Sequence, residues 1–144
     1  SQAAIGKRDR VDIFGTNYKT IDGSGVRDYI HVQDLADLHV LSLNYLEKNN
    51  TSEIFNCGYG CGFSVIQVLE SMRKVSGVDF AIRHMDRRAG DPERLVADTS
   101  KIKMFLNWSP KYNDIDLICR TALEWEKKRS HSFANATELN KKVG

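Results

Sequence analysis

Strand-like and helix-like segments alternate along this chain, and this alternation limits its possible folds more than any other feature. In order, the pattern predicts strand, strand, helix, strand, helix, strand, helix and helix. The clearest strand is 26–32, whose period of two places Arg27, Tyr29 and His31 on one polar face. Leucines at helical spacing follow over 34–48. Strands that alternate with helices predict an α/β fold with some parallel pairing.

The other elements are shorter. Further strands are predicted at 11–14, 53–57 and 78–83, and Ser64 with Gln67 forms a capping box that opens a helix. A short helix follows Asp98 or Thr99, and the last helix follows Asn113 or Asp114. Its predicted apolar face is Ile115, Ile118, Ala122 and Trp125. The apolar period is lost from Ser130, so we expect one domain over 1–129 and a frayed tail over 130–144.

Composition excludes several classes of protein. The chain has 144 residues and a net charge of +2, with no long run of like charge, which argues against binding to nucleic acid. It has neither an apolar stretch of membrane-spanning length nor a secretory leader, so we expect no membrane partner. Its three cysteines are an odd number, which favours a reducing, cytoplasmic compartment over a disulfide framework. The chain opens without a Met, and we expect it to be cut from a longer protein.

Neither a metal site nor a cofactor loop is predicted. Zinc needs four ligands, and Cys57 and Cys61 have no suitably spaced histidines or further thiols beside them. Glycines at 58, 60 and 62 lie between a strand and a helix, but Phe63 occupies the position of the last glycine in a dinucleotide-binding fingerprint. A tight turn is therefore favoured over a cofactor cradle.

Arginines on two separate segments are better candidates for a ligand site. The planar guanidinium of Arg27 suits two phosphate oxygens, and Tyr29 stands beside it. A surface ion pair between Arg27 and Asp28, or another carboxylate, explains the same residue equally well. The second segment reads Arg-Arg-Ala-Gly-Asp over 87–91. Two arginine-bearing segments in one short domain are what a diphosphate would require.

These segments also resemble a known family. The string Gly-Val-Arg-Asp-Tyr-Ile-His-Val over 25–32, the string over 87–91, and Asn107-Trp108 are similar to the UDP-glucose 4-epimerases of the extended short-chain dehydrogenase/reductase family. The resemblance covers about 1–128 and points to the C-terminal part of the family. It implies the substrate-binding part of a Rossmann-type α/β fold, without the N-terminal dinucleotide-binding half.

The resemblance also implies a set of residues that bind a UDP-sugar: Asp12, Ile13, Phe14, Arg27, Tyr29, Arg88 and Asp91. The first three would lie along the uracil, the arginines would bind the diphosphate, and the last carboxylate would reach ribose or sugar hydroxyls. Leu95 falls on the wall of the sugar pocket, where small residues admit N-acetylated sugars and large aromatic residues exclude them. Leucine is intermediate in size, so both N-acetylated and unmodified sugars stay open as substrates.

The catalytic parts of the family are not found in this sequence. None of the five tyrosines has a lysine four residues later, and no complete Gly-rich fingerprint is present. The resemblance implies NAD in the complete enzyme, but no catalytic residue and no bound cofactor in this chain, which we expect to be inactive alone. A homodimer is implied for the complete protein, and exposed apolar surface predicts self-association of the chain itself. A nucleotide-sugar-binding module, or part of a UDP-sugar dehydratase or decarboxylase, stays open as an alternative.

Overall fold

The computed structural model describes residues 1–141, with side chains described for 1–130. In chain order the elements are β1 (Arg10–Phe14), β2 (Val26–Arg27), α1 (Val32–Asn49), β3 (Phe63–Ser64), α2 (Val65–Ser76), β4 (Ala81–Met85), β5 (Arg94–Leu95), α3 (Ser100–Leu106) and α4 (Ile115–Lys141). The α/β class predicted from the sequence is confirmed.

The strands form two small sheets. β1 and β4 pair in parallel, with Asp12 opposite Arg83. In the second sheet β2 is central, antiparallel to β3 and parallel to β5, and this arrangement places Arg27 opposite both Phe63 and Leu95. Residues far apart in the sequence are thus held beside Arg27 by backbone pairing.

Two apolar clusters pack the helices against these sheets. The first joins α2, α4 and the β1–β4 sheet, and it consists of Ala3, Met72, Phe80, Cys119 and Leu123. The second lies between α1 and α3 and includes Leu38 and Ile102, which are 1% and 0% exposed. Burying a side chain of this size contributes roughly 1.5–3 kcal/mol.

A buried carboxylate fixes the start of α1. His31 caps the helix, since its Nδ1 accepts from the Gln33 amide at 3.1 Å. Asp34, which is fully buried, accepts from the Tyr59 hydroxyl at 2.6 Å and from the backbone amides of Lys111 and Tyr112. The helix is thereby tied to two loops from later in the chain.

The start of α2 has no spare backbone donor. The Ser64 and Gln67 amides are satisfied within the predicted capping box, each by the other residue's side chain. The Val65 amide donates to the Gly25 carbonyl at 3.0 Å, and the Ile66 amide donates to the Ser24 hydroxyl at 3.3 Å. All four amides that a helix start leaves without an intrahelical partner are therefore bound by protein.

Two predicted strands are wrong in extent or existence. The strand predicted over 26–32 ends at Arg27, because the following residues lead into the capped start of α1. Residues 53–57 form no strand, and Ile54 is 80% exposed, since no strand among residues 1–141 lies beside them as a partner. The strand predicted over 78–83 is found as β4, displaced toward the C-terminus.

The last helix also differs from its prediction. Ile115 and Ile118 of the predicted face pack against the two apolar clusters, whereas Ala122 is exposed and Trp125 is 63% exposed. Among the described side chains of this helix, those buried are Cys119, Leu123 and Glu126, and the first two pack with Met72 of α2. The backbone of α4 continues to Lys141, past the position where the apolar period ends. Residues 142–144 of the expected tail lie outside the described residues, so the tail stays a prediction.

Candidate functional site

Four separate segments, one of them the start of α2 at Val65, line one cleft of about 330 Å³, here called the arginine cleft. Its lining includes six residues assigned to ligand binding from the sequence: Asp12, Ile13, Phe14, Arg27, Arg88 and Asp91. β1 supplies the first three, β2 the fourth, and the loop between β4 and β5 the last two. The structure therefore brings together residues that lie up to 79 positions apart, between Asp12 and Asp91.

Asp12 is held by arginines at the edge of this cleft. Its carboxylate accepts two hydrogen bonds from Arg83, each at 3.0 Å, and one from Arg10 at 3.2 Å. The hydrogen bond from Arg83, followed by that from Arg10, lowers the pKa of the Asp12 carboxyl. Asp12 is thus ionised at neutral pH, and its side chain is oriented by its cross-strand partner.

Arg27 lies inside the cleft and is paired with Asp91. Its Nη2 donates to the Asp91 carboxylate, and its Nη1 donates to the Val26 carbonyl at 2.7 Å. The carboxylate partner left open by the sequence is therefore Asp91 and not Asp28. Because the Arg27 side chain is about one quarter exposed and lines the cleft, a ligand in the cleft can reach it without unfolding β2.

The two adjacent arginines of the β4–β5 loop have different surroundings. The Arg88 guanidinium lies over the Phe14 ring at 3.7 Å, a cation–π contact inside the arginine cleft. Arg87 instead lies 3.9 Å from the Tyr18 ring and donates to the side-chain and backbone oxygens of Asn17. Only Arg88 of this pair is positioned to contact a ligand.

Leu95 lies in a second cleft of about 540 Å³, here called the Leu95 cleft. Its lining includes Arg27, Asp28, Asn56, Cys57, Leu95 and Ala97. Arg27 lines both clefts, so the two meet at its side chain. Leu95 is 61% exposed and stands on the wall of the second cleft.

Tyr29 is the one predicted ligand-binding residue that lines neither cleft. The alternation that would place it beside Arg27 requires a strand, and β2 ends at Arg27. Tyr29 is half-buried instead, and burial raises the pKa of its hydroxyl. The charge of Arg27 acts on this hydroxyl in the opposite sense, so the two side chains are near each other, and a role of Tyr29 beside a ligand stays a prediction.

Tyr59, which lines neither cleft, is buried and donates its hydroxyl proton to Asp34. Burial, and then the hydrogen bond to Asp34, raises the pKa of Tyr59 far above its usual value. A tyrosine base needs the opposite shift, toward an ionised phenol near neutral pH. Among residues 1–130, no group of His, Cys, Asp and Glu side chains could hold a metal ion.

The glycine turn before α2 is packed against protein. A Cβ at Gly58 would lie 2.4 Å from the Asp28 carboxylate, and one at Gly62 would lie 2.5 Å from the Val26 side chain. These glycines make room for neighbouring side chains, and the α2 amides beyond them are already bonded. This packing is what a tight turn between two elements requires, and the absence of a cofactor cradle stays a prediction.

Asp28, Asn56 and Cys57 line the Leu95 cleft but were not predicted as site residues. Asn56 and Cys57 were assigned to a strand, which hid their position in a cleft wall. Asp28 was considered only as a surface ion-pair partner of Arg27. The available signal was a carboxylate next to the candidate phosphate-binding arginine, together with a glycine turn whose backbone amides need hydrogen-bond acceptors.

None of the helices in the part of the chain that the structure describes is long and apolar enough to cross a membrane.

The NAD dependent epimerase/dehydratase family matches residues 1–58. A UDP-glucose 4-epimerase from Azospirillum brasilense is 47% identical over 135 residues, which cover 94% of this chain. The chain spans about two fifths of the length of the curated relatives it matches, 39% for this one.

Solved structures of the same family superpose on most of the chain. The UDP-Glc/GlcNAc 4-epimerase from Campylobacter jejuni is 53% identical, with a TM-score of 0.80 over 88% of this chain and 38% of that one. A UDP-glucose-4-epimerase from Stenotrophomonas maltophila, with bound NAD and formylated UDP-arabinopyranose, is 38% identical, with a TM-score of 0.85 over 91% of this chain and 39% of that one. The chain therefore belongs to the extended short-chain dehydrogenases/reductases of the NAD dependent epimerase/dehydratase family, and it is similar to the C-terminal part of the UDP-glucose 4-epimerases.

Proposed function

We propose that this chain is the UDP-sugar-binding portion of a UDP-glucose 4-epimerase. One observation carries the proposal: two arginines, one aromatic ring and two carboxylates from distant segments converge in the arginine cleft. A diphosphate carries charge on both phosphates, and two guanidinium groups can neutralise it from two sides. The relatives described above are named for the same class of substrate.

The roles follow from position. β1 lies along the cleft and supports the uracil with residues 12–14. Arg27 stands where the arginine cleft meets the Leu95 cleft and binds the diphosphate, and Arg88 neutralises it from the other side. Asp91 accepts from ribose or sugar hydroxyls once phosphate has replaced it on Arg27. The sugar then extends into the Leu95 cleft.

In this proposal the reaction belongs to a larger protein. It interconverts UDP-glucose and UDP-galactose by a transient, NAD-dependent oxidation at the sugar C4. The residues of this chain bind and orient the substrate, while the hydride acceptor and the proton-transfer base lie outside them. The chain alone binds no NAD. Three expectations stay predictions: a homodimer of the complete protein, self-association of this chain, and a reducing, cytoplasmic location. The exposed side chains of Val40, Leu43 and Ile54 support self-association.

The chain alone is expected to show no epimerase turnover in a coupled assay that follows UDP-glucose formation from UDP-galactose. The reason is that no tyrosine of the sequence has a lysine four residues later, and that protein side chains pack against the glycine turn before α2. Turnover above a buffer control, surviving extensive purification, would contradict the assignment of all catalytic groups to other residues.

Calorimetric titration of UDP is the direct test of binding. We expect Arg27→Ala to weaken UDP binding by at least about tenfold, because a charge-assisted bond to phosphate is lost. Arg120→Ala on the exposed side of α4 is the matched control, and we expect it to leave UDP binding unchanged. Equal affinity of the Arg27→Ala variant and the wild type would refute the diphosphate assignment. Absence of UDP binding by the wild-type chain would refute the proposal that these residues form the site by themselves.

A further inference from the structure

We propose that Asp28 is a positioning residue that holds the two walls of the Leu95 cleft together and thereby sets its affinity for the sugar part of the ligand. This inference rests on the proposed function and deepens it. Asp28 is not expected to touch the diphosphate. Its role is to fix backbone segments that would otherwise move independently of Arg27.

The Asp28 carboxylate accepts hydrogen bonds from backbone amides in both walls of the Leu95 cleft. It accepts from the Tyr59 amide at 2.9 Å and from the Gly60 amide at 2.9 Å, both in the loop that follows Asn56 and Cys57. It also accepts from the Ala97 amide at 3.3 Å, in the segment that follows Leu95. A single side chain therefore bonds to both segments that line the cleft.

The backbone of Asp28 adds another connection. Its amide donates to the Leu95 carbonyl at 3.2 Å, which continues the pairing of β2 with β5 by one residue. Strand pairing therefore fixes the position of Leu95 relative to Arg27 and Asp28. The Asp28 carboxylate holds the loop on the other wall of the cleft.

Gly58 provides independent evidence that the loop packs closely against Asp28 and Ala97. A Cβ at Gly58 would lie 2.4 Å from Asp28 Oδ2 and 2.7 Å from the Ala97 Cβ. Real Cβ atoms do not approach other atoms so closely, so any larger residue at 58 must push the carboxylate away from the loop. The sequence places a glycine where the loop must approach Asp28.

The effect of Asp28 is confined to one cleft by its position. The arginine cleft is lined by β1, by Gly25 and Arg27, by Val65, and by the loop bearing Arg88 and Asp91, and none of these donates a hydrogen bond to the Asp28 carboxylate. Loss of the carboxylate loosens the Leu95 cleft while the contacts to uracil and diphosphate remain. UDP binding and UDP-sugar binding should therefore respond differently.

The test compares UDP with UDP-glucose in the complete gene product that carries this chain. In Asp28→Asn, an NH2 group replaces one oxygen: at the Oδ1 position it faces the Tyr59 amide, donor against donor, and the Gly60 and Ala97 amides then bind an uncharged oxygen at the Oδ2 position. We expect UDP affinity to stay within about twofold of the wild type and UDP-glucose affinity to fall about tenfold, the order of effect of losing hydrogen bonds to a charged group. Asp9→Asn, an exposed site outside both clefts, is the control and should change neither affinity.

Gly58→Ala disturbs the same contact from the loop side, because the added Cβ displaces the Asp28 carboxylate. It provides the test if Asp28→Asn does not fold. It should also weaken UDP-glucose more than UDP, and the double variant should lose less than the sum of the single losses, because both act on one contact. Equal losses for both ligands would indicate a general structural role and overturn the inference. So would unchanged UDP-glucose affinity in both variants. A wild-type protein that binds neither ligand would overturn the proposed function, whereas the other results bear on Asp28 alone.

Discussion

Replacing Asp34 with alanine is expected to lower the free energy of unfolding by roughly 3–5 kcal/mol, because buried donors are left without an acceptor. Asp34 is fully buried and binds the Tyr59 hydroxyl together with the amides of Lys111 and Tyr112. Removing the carboxylate leaves all three donors facing a small cavity. Urea denaturation followed by circular dichroism measures the loss directly.

Asp37→Ala is the matched control, one turn further along α1. Its carboxylate accepts from the Lys111 Nζ at 3.0 Å at the protein surface, so we expect only a small change in stability. Asp34→Asn keeps one acceptor oxygen and should fall between the wild type and Asp34→Ala, which preserves the test if the alanine variant does not fold. Similar losses for the variants at 34 and 37 would show that burial does not determine the effect.

Replacing Gly23 with alanine is expected to cost roughly 3 kcal/mol or more, from positive-φ strain combined with a backbone clash. Gly23 has a φ of +79°, and an added Cβ would lie 2.2 Å from the Thr16 carbonyl oxygen. A backbone carbonyl cannot swing away as a flexible side chain can. This turn connects β1 to β2, so we also expect UDP binding to fall, measured by calorimetry beside the denaturation curve.

Gly77→Ala separates the two contributions. Gly77 has a φ of +69°, and nothing lies within 4 Å of an added Cβ, so only the conformational strain remains. We expect a loss of about 1–2 kcal/mol and unchanged UDP binding. Should the substitution at 23 cost no more than the one at 77, the turn is able to relax around a methyl group.

Helices were predictable because their signals are local. Ser64 and Gln67 stand three residues apart and form the capping box that the sequence indicates, and Gly77 ends the same helix in a left-handed conformation. Asn50 ends α1 in the same way. Both boundaries depend on neighbours in the sequence and need no information about packing.

Strands and cleft walls were less predictable because they depend on distant partners. Residues 53–57 have strand-like composition, but a strand forms only where another strand accepts its hydrogen bonds. The contributions of Arg27, Arg88 and Asp91 to one site followed from their chemistry and the family resemblance. Asp28 was missed because its partners are backbone amides 31, 32 and 69 residues away, and an amide has no signature in the sequence.

The bonded start of α2 determines how the arginine cleft can attract a phosphate. Val65, the first residue of that helix, lines the cleft, yet its amide and its neighbours' amides are already bound to protein. Many phosphate sites use open amides at such a position, whose dipoles bind anions at short range. In the site proposed here the attraction would come from guanidinium groups that are partly open to solvent, and dissolved salt screens such charges. Nucleotide affinity should therefore fall steeply as ionic strength rises.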